Sequence, residues 1–403
     1  MEVSMSTRRF SLRMLSLLTL LSITILPAAA TADFDLLDSQ NVTAVDNVST
    51  ANGGTFNGGR VYVAATKQTS NNNALRINGI YTDANGIIST NFVLTEGPIH
   101  DVDVTEYRDN IVVVAAITSG HIKLIAFKTN ATGANRLERL GDTAGVATIP
   151  VSTNGVHVIR VGPTPNPSIV SAAYLSDGRA RFDVWTLSTD GQNFTHQSTK
   201  ISAGQTGRLA MSADYIKSSR NFAMAAQDAN GHMIVTLWQV DVHGNLLKLA
   251  QSARGVVDFM DITLSGNRIY TAATNTDSPL ATAEVARWTV AASESGAPLP
   301  NILDYKDEAT LPIRFSGRIQ LVDQGNEVVV IGQTGSETDD DDWQTMRFFT
   351  YTFNGSTLSL ASPIKELPNQ ADGFDVVKND SRFFLMIDGF VNSQDSHQVW
   401  QYN

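Results

Sequence analysis

The chain has 403 residues, 42% of them hydrophobic and 17% charged, with 40 acidic against 29 basic side chains and no cysteine. The resulting net charge of −11 argues against nucleic acid or an anionic membrane surface as a partner, because both reward a basic face. Without cysteine there is no disulfide framework, no thiol nucleophile and no lipid-modified cysteine, so burial alone must hold the fold.

Residues 1–32 read as an export signal. Arg8, Arg9 and Arg13 form a basic start, "MLSLLTLLSITIL" is an apolar run too short to span a bilayer comfortably, and the small residues around "AAATA" end it. Phe10 directly follows Arg9, which favours the general secretory route over the twin-arginine one. Cleavage near Ala32 would leave a mature chain starting near Asp33. Loss of three arginines and one glutamate would move its charge from −11 to −13. No second long apolar run follows, so the mature chain is expected to be secreted or periplasmic, without a membrane span.

The remainder carries a repeat. A small-residue pair follows a β-branched run at Ala64-Ala65, Ala115-Ala116, Ala172-Ala173, Ala225-Ala226 and Ala272-Ala273, with Ile331-Gly332 and Ile387-Asp388 as degenerate members. After each pair and a polar loop comes a strand with a large apolar residue: Ile80, Phe127, Trp185, Trp238, Trp288, Phe349 and Trp400. In five units a glycine stands six residues later, at Gly86, Gly133, Gly191, Gly244 and Gly355, where a tight antiparallel turn needs positive φ. A further short strand closes each unit. Alternating apolar residues at hairpin spacing give four strands per unit, and no stretch of the mature chain has convincing amphipathic helical periodicity.

Seven four-stranded units of about 50 residues resemble the seven-bladed β-propeller class. The likeness is to the WD40-type architecture in blade size, without its GH and WD signatures and with no particular family. It implies an all-β ring of antiparallel blades over residues 33–403. The last unit, ending in "HQVWQYN", has only three strands, and the opening "DFDLLDSQ" resembles a fourth. The N-terminal strand is therefore predicted to complete the last blade, which removes two open edges.

In a propeller the first strand of each blade lines the central channel. Aligning the units on their small pairs places Asp46, Asp103, Arg160, Arg208, Asp261, Arg318 and Asp375 at one inner position, all charged. Three residues earlier a second tier, with His100, His157, Asp258 and Asp372, is expected nearer the channel mouth. An odd offset points the two tiers to opposite sides of a strand unless a bulge intervenes. The ring can be a self-paired polar wall. The second reading is that it binds a ligand, with arginines gripping a carboxylate or phosphate and neighbouring aspartates acting as acid, base or cation ligand.

His100, Asp103 and His157 are reasonable transition-metal ligands, although no ligand spacing singles them out. Asp339, Asp340, Asp341 and Asp342 form an acidic loop that a hard cation such as calcium would relieve, but the EF-hand pattern is absent. His121, Arg179, His232 and Trp343 open third strands and form a candidate recognition rim. Trp185, Trp238, Trp288 and Trp400 share one repeat position and read as blade packing. There is no G-x-S-x-G elbow, H-E-x-x-H helix, phosphate-binding loop or dinucleotide fingerprint. The sequence thus predicts a monomeric propeller binding a protein, glycan or small anionic ligand at its loop face. The alternative is a secreted hydrolase or lyase working through the Arg/Asp cluster, with or without a bound cation.

Overall fold

Alternating strands and tight turns build 27 strands among the described residues of a computed structural model. The structure describes residues 34–403 except 43–44, 57, 69–70, 109, 131–136, 144–150, 153–154, 215–218, 275–281, 296, 326, 335–344, 356, 362–363 and 390–394. Side chains are also left out at 90–91, 282, 312–314, 316, 368–370 and 372. The expected export signal, Gly133, the acidic run Asp339–Asp342, Trp343 and the Asp372 side chain therefore lie outside the described residues.

The strands form seven antiparallel blades of four, in a ring. The N-terminal strand is β1 (Phe34–Asn41). Blade 1 runs β2 (Asp46–Phe56), β3 (Gly59–Gln68), β4 (Ala74–Thr82) and β5 (Ile88–Pro98). Blade 2 is β6 (Val102–Arg108), β7 (Ile111–Thr118), β8 (His121–Thr129) and β9 (Leu137–Asp142). Blade 3 is β10 (His157–Val161), β11 (Ser168–Tyr174), β12 (Arg179–Leu187) and β13 (Phe194–Gln205). Blade 4 is β14 (Leu209–Ala213), β15 (Asn221–Gln227), β16 (His232–Val240) and β17 (Leu246–Val256).

The next two boundaries are continuous strands. Blade 5 holds β18 (Phe259–Ser265), β19 (Arg268–Thr274), β20 (Thr282–Ala292) and the first half of the long β21 (Asn301–Asp323). The second half of β21 starts blade 6, followed by β22 (Glu327–Thr334), β23 (Thr345–Phe353), the short β24 (Leu358–Leu360) and the start of β25 (Lys365–Asn379). The rest of β25 leads blade 7, with β26 (Arg382–Gly389) and β27 (Ser396–Tyr402). β21 and β25 thus serve as the outer strand of one blade and the inner strand of the next.

Closure follows the expectation. β1 pairs antiparallel with β27 from Phe34–Tyr402 to Asn41–Ser396, so the two ends of the ring are joined by main-chain hydrogen bonds. Phe34 anchors this strand, stacked on Phe348 at 4.4 Å and against Phe383 and Tyr402.

Seven apolar clusters occupy the seven junctions, each assembled from two neighbouring blades. The small pairs lie in the second strands, where a short side chain lets the sheets approach, and the large residues of the third strands fill the remaining space. Trp185, Trp288 and Trp400 are buried this way. Trp238 is half-buried, with Phe182 and Phe222 stacked near it and Lys200 over its ring.

Candidate functional site at the channel mouth

The hairpin register defines which residues of the innermost strands are equivalent. Asp103 faces Ala115, His157 faces Ala172 and Asp261 faces Ala272, each the first member of its small pair. Thr50 faces Ala64 and Gln320 faces Ile331. Asp46 instead faces Lys67, Arg160 faces Ile169 and Asp375 faces Met386, while Arg208 and Arg318 stand just outside the regular ladder. The seven charges expected at one inner position are therefore not equivalent. Bulges at Asp46–Val48, Asn52–Gly54 and Phe315–Ile319 absorb residues that linear spacing cannot see.

Six of the seven still meet. A cavity of about 960 Å³ opens at the start of the innermost strands, lined by Asp46, Asp103, Arg208, Asp261, Arg318 and Asp375. Arg160 does not line it; it is buried, with Glu106 of β6 at 3.8 Å. His157 takes the place in the ring that spacing assigns to Arg160, because three residues along a strand reverse the side-chain direction. Of the described side chains of the second tier, His157 alone lines the cavity; His100 is exposed and Asp258 half-buried, both away from the lining. His121, Arg179 and His232 open the third strands, as spacing predicts, and also lie outside it.

The acids serve the ring. The innermost strand of each blade has one edge with no β-partner, and its amide hydrogens there need acceptors. Asp103 accepts from the Val158 amide of the next blade at 2.6 Å, and from Val104 N and Ser49 Oγ. Asp261 accepts from Leu321 N at 2.6 Å, across the junction of blades 5 and 6. Asp375 accepts from the amide and hydroxyl of Thr50 and from Gln320 Nε2, joining blade 7 to blades 1 and 6. The same role falls to Ser49 Oγ for Val104 N and to Ser212 Oγ for Leu264 N. At the rim Asp101 accepts from Gly155 N and Val156 N, and Asp46 pairs with Lys67 at 2.7 Å. Asp388 is also engaged.

Burial sets the protonation of these groups. It pushes Asp103 up to about 6 against the opposing hydrogen bonds from Ser49 and the Val158 and Val104 amides. It pushes Asp261 up to about 7, and raises Asp375 despite the nearby Arg318. His157 is carried down to about 4 by burial, with Arg318 adding to the effect and Asp101 opposing it. Burial also raises Tyr174, another residue of the lining. Among the described residues, no group of three or more His, Asp or Glu side chains is placed to hold a metal ion.

The two arginines face the cavity itself. Arg208 and Arg318 are both exposed into the cavity, and neither guanidinium lies within ion-pair reach of a described carboxylate. Arg208 lies over the Phe259 ring, 4.0 Å from its centre.

A shared local motif presents both. "TGRLAM" (206–211) precedes blade 4 and "SGRIQL" (316–321) precedes blade 6. A side chain at Gly207 would overlap Oε1 of Gln227, and one at Gly317 would overlap Oε1 of Gln333. Both glutamines end on the second strand of their own blade and donate Nε2 to the entry of the next, to Val257 O and Ala371 O respectively. Gln333 also accepts from Arg318 N at 2.7 Å, while Gly207 N and Gln227 N bond across the equivalent bridge. This Gly-Arg repeat was legible in the sequence once paired with Gln227 and Gln333; Asp101 and Tyr174 carried no comparable signal.

No family model and no curated protein matches the chain. Among solved structures it is similar to a protein from Lactobacillus plantarum, with 14% identity over 81% of this chain and 90% of that one and a TM-score of 0.50. It is also similar to the polysaccharide lyase Uly1, with 6% identity over 90% of this chain and 91% of that one and a TM-score of 0.53. At these identities the likeness is one of fold alone.

Proposed function

We propose that this propeller is an exported binding module that takes a small anionic ligand at its channel mouth. The observation that carries the reading is the division of charge in the cavity: every lining acid is engaged by the protein itself, while Arg208 and Arg318 are left facing solvent. Guanidinium groups offer planar, paired donors suited to carboxylate, phosphate or sulfate. The acidic exterior favours an anion small enough to enter the cavity over a polyanion laid across the surface.

The alternative, a hydrolase or lyase in which Asp103 or Asp261 activates water, asks those carboxylates to abandon the amides they hold. The cavity's titratable side chains without a hydrogen-bond partner among the described residues are His157 and Tyr174, so acid–base chemistry, if present, would fall to them. The test is calorimetric titration of the full chain with simple carboxylates, phosphate and sulfate at fixed ionic strength. Binding of at least one, lost in the Arg208→Gln/Arg318→Gln double variant, is expected. Binding unaffected by the double variant, or no binding at all, would refute the reading.

A further inference from the structure

The two free arginines are a matched pair. Each follows a glycine whose added side chain would press on the tip of a glutamine from the neighbouring strand, and each stands immediately before an innermost strand or its regular ladder. They belong to blades 4 and 6, so they reach the mouth from two different sides with blade 5 between them. Blade 5 contributes Phe259, whose ring holds the Arg208 guanidinium by its face, and Asp261, whose carboxylate is turned to Leu321 N. A guanidinium stacked on an aromatic keeps its in-plane donors free for a ligand. Against burial, Arg318 lowers the Asp261 carboxyl through space, but that carboxylate hydrogen-bonds Leu321 N, and neither guanidinium forms an ion pair with a described acid.

Resting on the anion-binding reading, we propose that the ligand carries two carboxylate groups, one for Arg208 and one for Arg318. A single carboxylate satisfies one fork of donors. Two carboxylates on one scaffold make the second contact intramolecular, which raises affinity without any new group on the protein. A cavity of about 960 Å³ accommodates such a scaffold with room for water.

The probes are straight-chain dicarboxylates from succinate to pimelate, each compared with the monocarboxylate of equal length, titrated into the full chain at constant ionic strength. One dicarboxylate is expected to bind at least about tenfold more tightly than its monocarboxylate partner. Arg208→Gln and Arg318→Gln should each bring that dicarboxylate down to the level of the monocarboxylate. Unchanged melting temperatures are the control that the exposed substitutions leave the fold intact. If monocarboxylates and dicarboxylates bind alike, or if only one arginine matters, the two-point ligand is overturned while the anion-binding reading stands. If no carboxylate binds but phosphate or sulfate does, the two-carboxylate ligand is likewise overturned; absence of all anion binding overturns both.

Discussion

Replacing Asp261 with asparagine tests whether the ring-bracketing carboxylates are held against their preference for water. Burial takes Asp261 from its usual 3.8 to about 7, so the folded chain binds a proton that the unfolded chain releases over this interval. Stability from this group is full below the unfolded value and is lost as pH rises through the folded one. A displacement of about three pH units corresponds to ~4 kcal/mol as a ceiling. Asp261 retains some exposure to the channel, and screening there reduces the figure to roughly 2 kcal/mol. The introduced amide keeps an acceptor for Leu321 N, and any hydrogen bond it loses is a constant offset independent of pH. Urea unfolding of the wild type and Asp261→Asn should be followed from about pH 4 to about pH 8.5. The variant should gain on the wild type by ~2 kcal/mol across that range. A flat difference, or one in which the wild type gains as pH rises, refutes the argument.

Three other outcomes are expected. Phe34→Ala removes the buried anchor of β1 and should cost about 3–5 kcal/mol, read as a lower urea midpoint and faster proteolysis near the N-terminal strand; a loss under about 1 kcal/mol would show that Phe34 does not hold the ring closed. Gly317→Ala forces Gln333 away from the Arg318 amide and should weaken anion binding about tenfold for a stability loss of about 1–2 kcal/mol, measured by calorimetry and thermal melting. His397 is fully buried, neither ring nitrogen has a hydrogen-bond partner among the described residues, and burial carries it down to about 3. Its contribution is therefore present above pH 6.5 and lost as pH falls towards 3, opposite in sign to Asp261. His397→Gln should flatten acid destabilisation, and a proton-resonance titration placing His397 near 6.5 would contradict the burial.

The seven-unit repeat was visible because packing imposes it. Most junctions combine short residues in the second strand with a bulky one in the third, so Ala115-Ala116 with Phe127 and Ala172-Ala173 with Trp185 mark their blades without any long-range information. The closing role of β1 was legible for the same reason, since a three-stranded last blade leaves an edge that another strand must cover. The channel was less legible. Spacing alone places Asp103 and Asp261 on equivalent rungs, opposite Ala115 and Ala272, because the single-residue bulge at Glu106–Arg108 in the first hairpin is small enough for the alignment to absorb. Asp46 and Arg318 were misaligned because bulges in β2 and β21 consume residues, and Arg160 was exchanged with His157 by three positions. Charge identity misled as well: seven charged residues in one column looked like a designed ring, yet bulges had brought different rungs into that column.

The distinction between acids and arginines in the channel follows from hydrogen-bond valence. An inner strand with an open edge presents amide donors and is satisfied by acceptors, so aspartate and serine recur at the junctions and can be explained by ring closure. Arginine has five donors and no acceptor, and can do nothing for an amide. Both arginines reach the same mouth, on blades 4 and 6, each after a glycine and beside a glutamine, and their in-plane donors are not used by the inner-strand amides. Arg208 stacks on Phe259 and Arg318 eases the burial of Asp261 and Asp375, yet neither guanidinium is paired with a described carboxylate, and under the proposed reading a ligand with oxygen acceptors takes the donors left over.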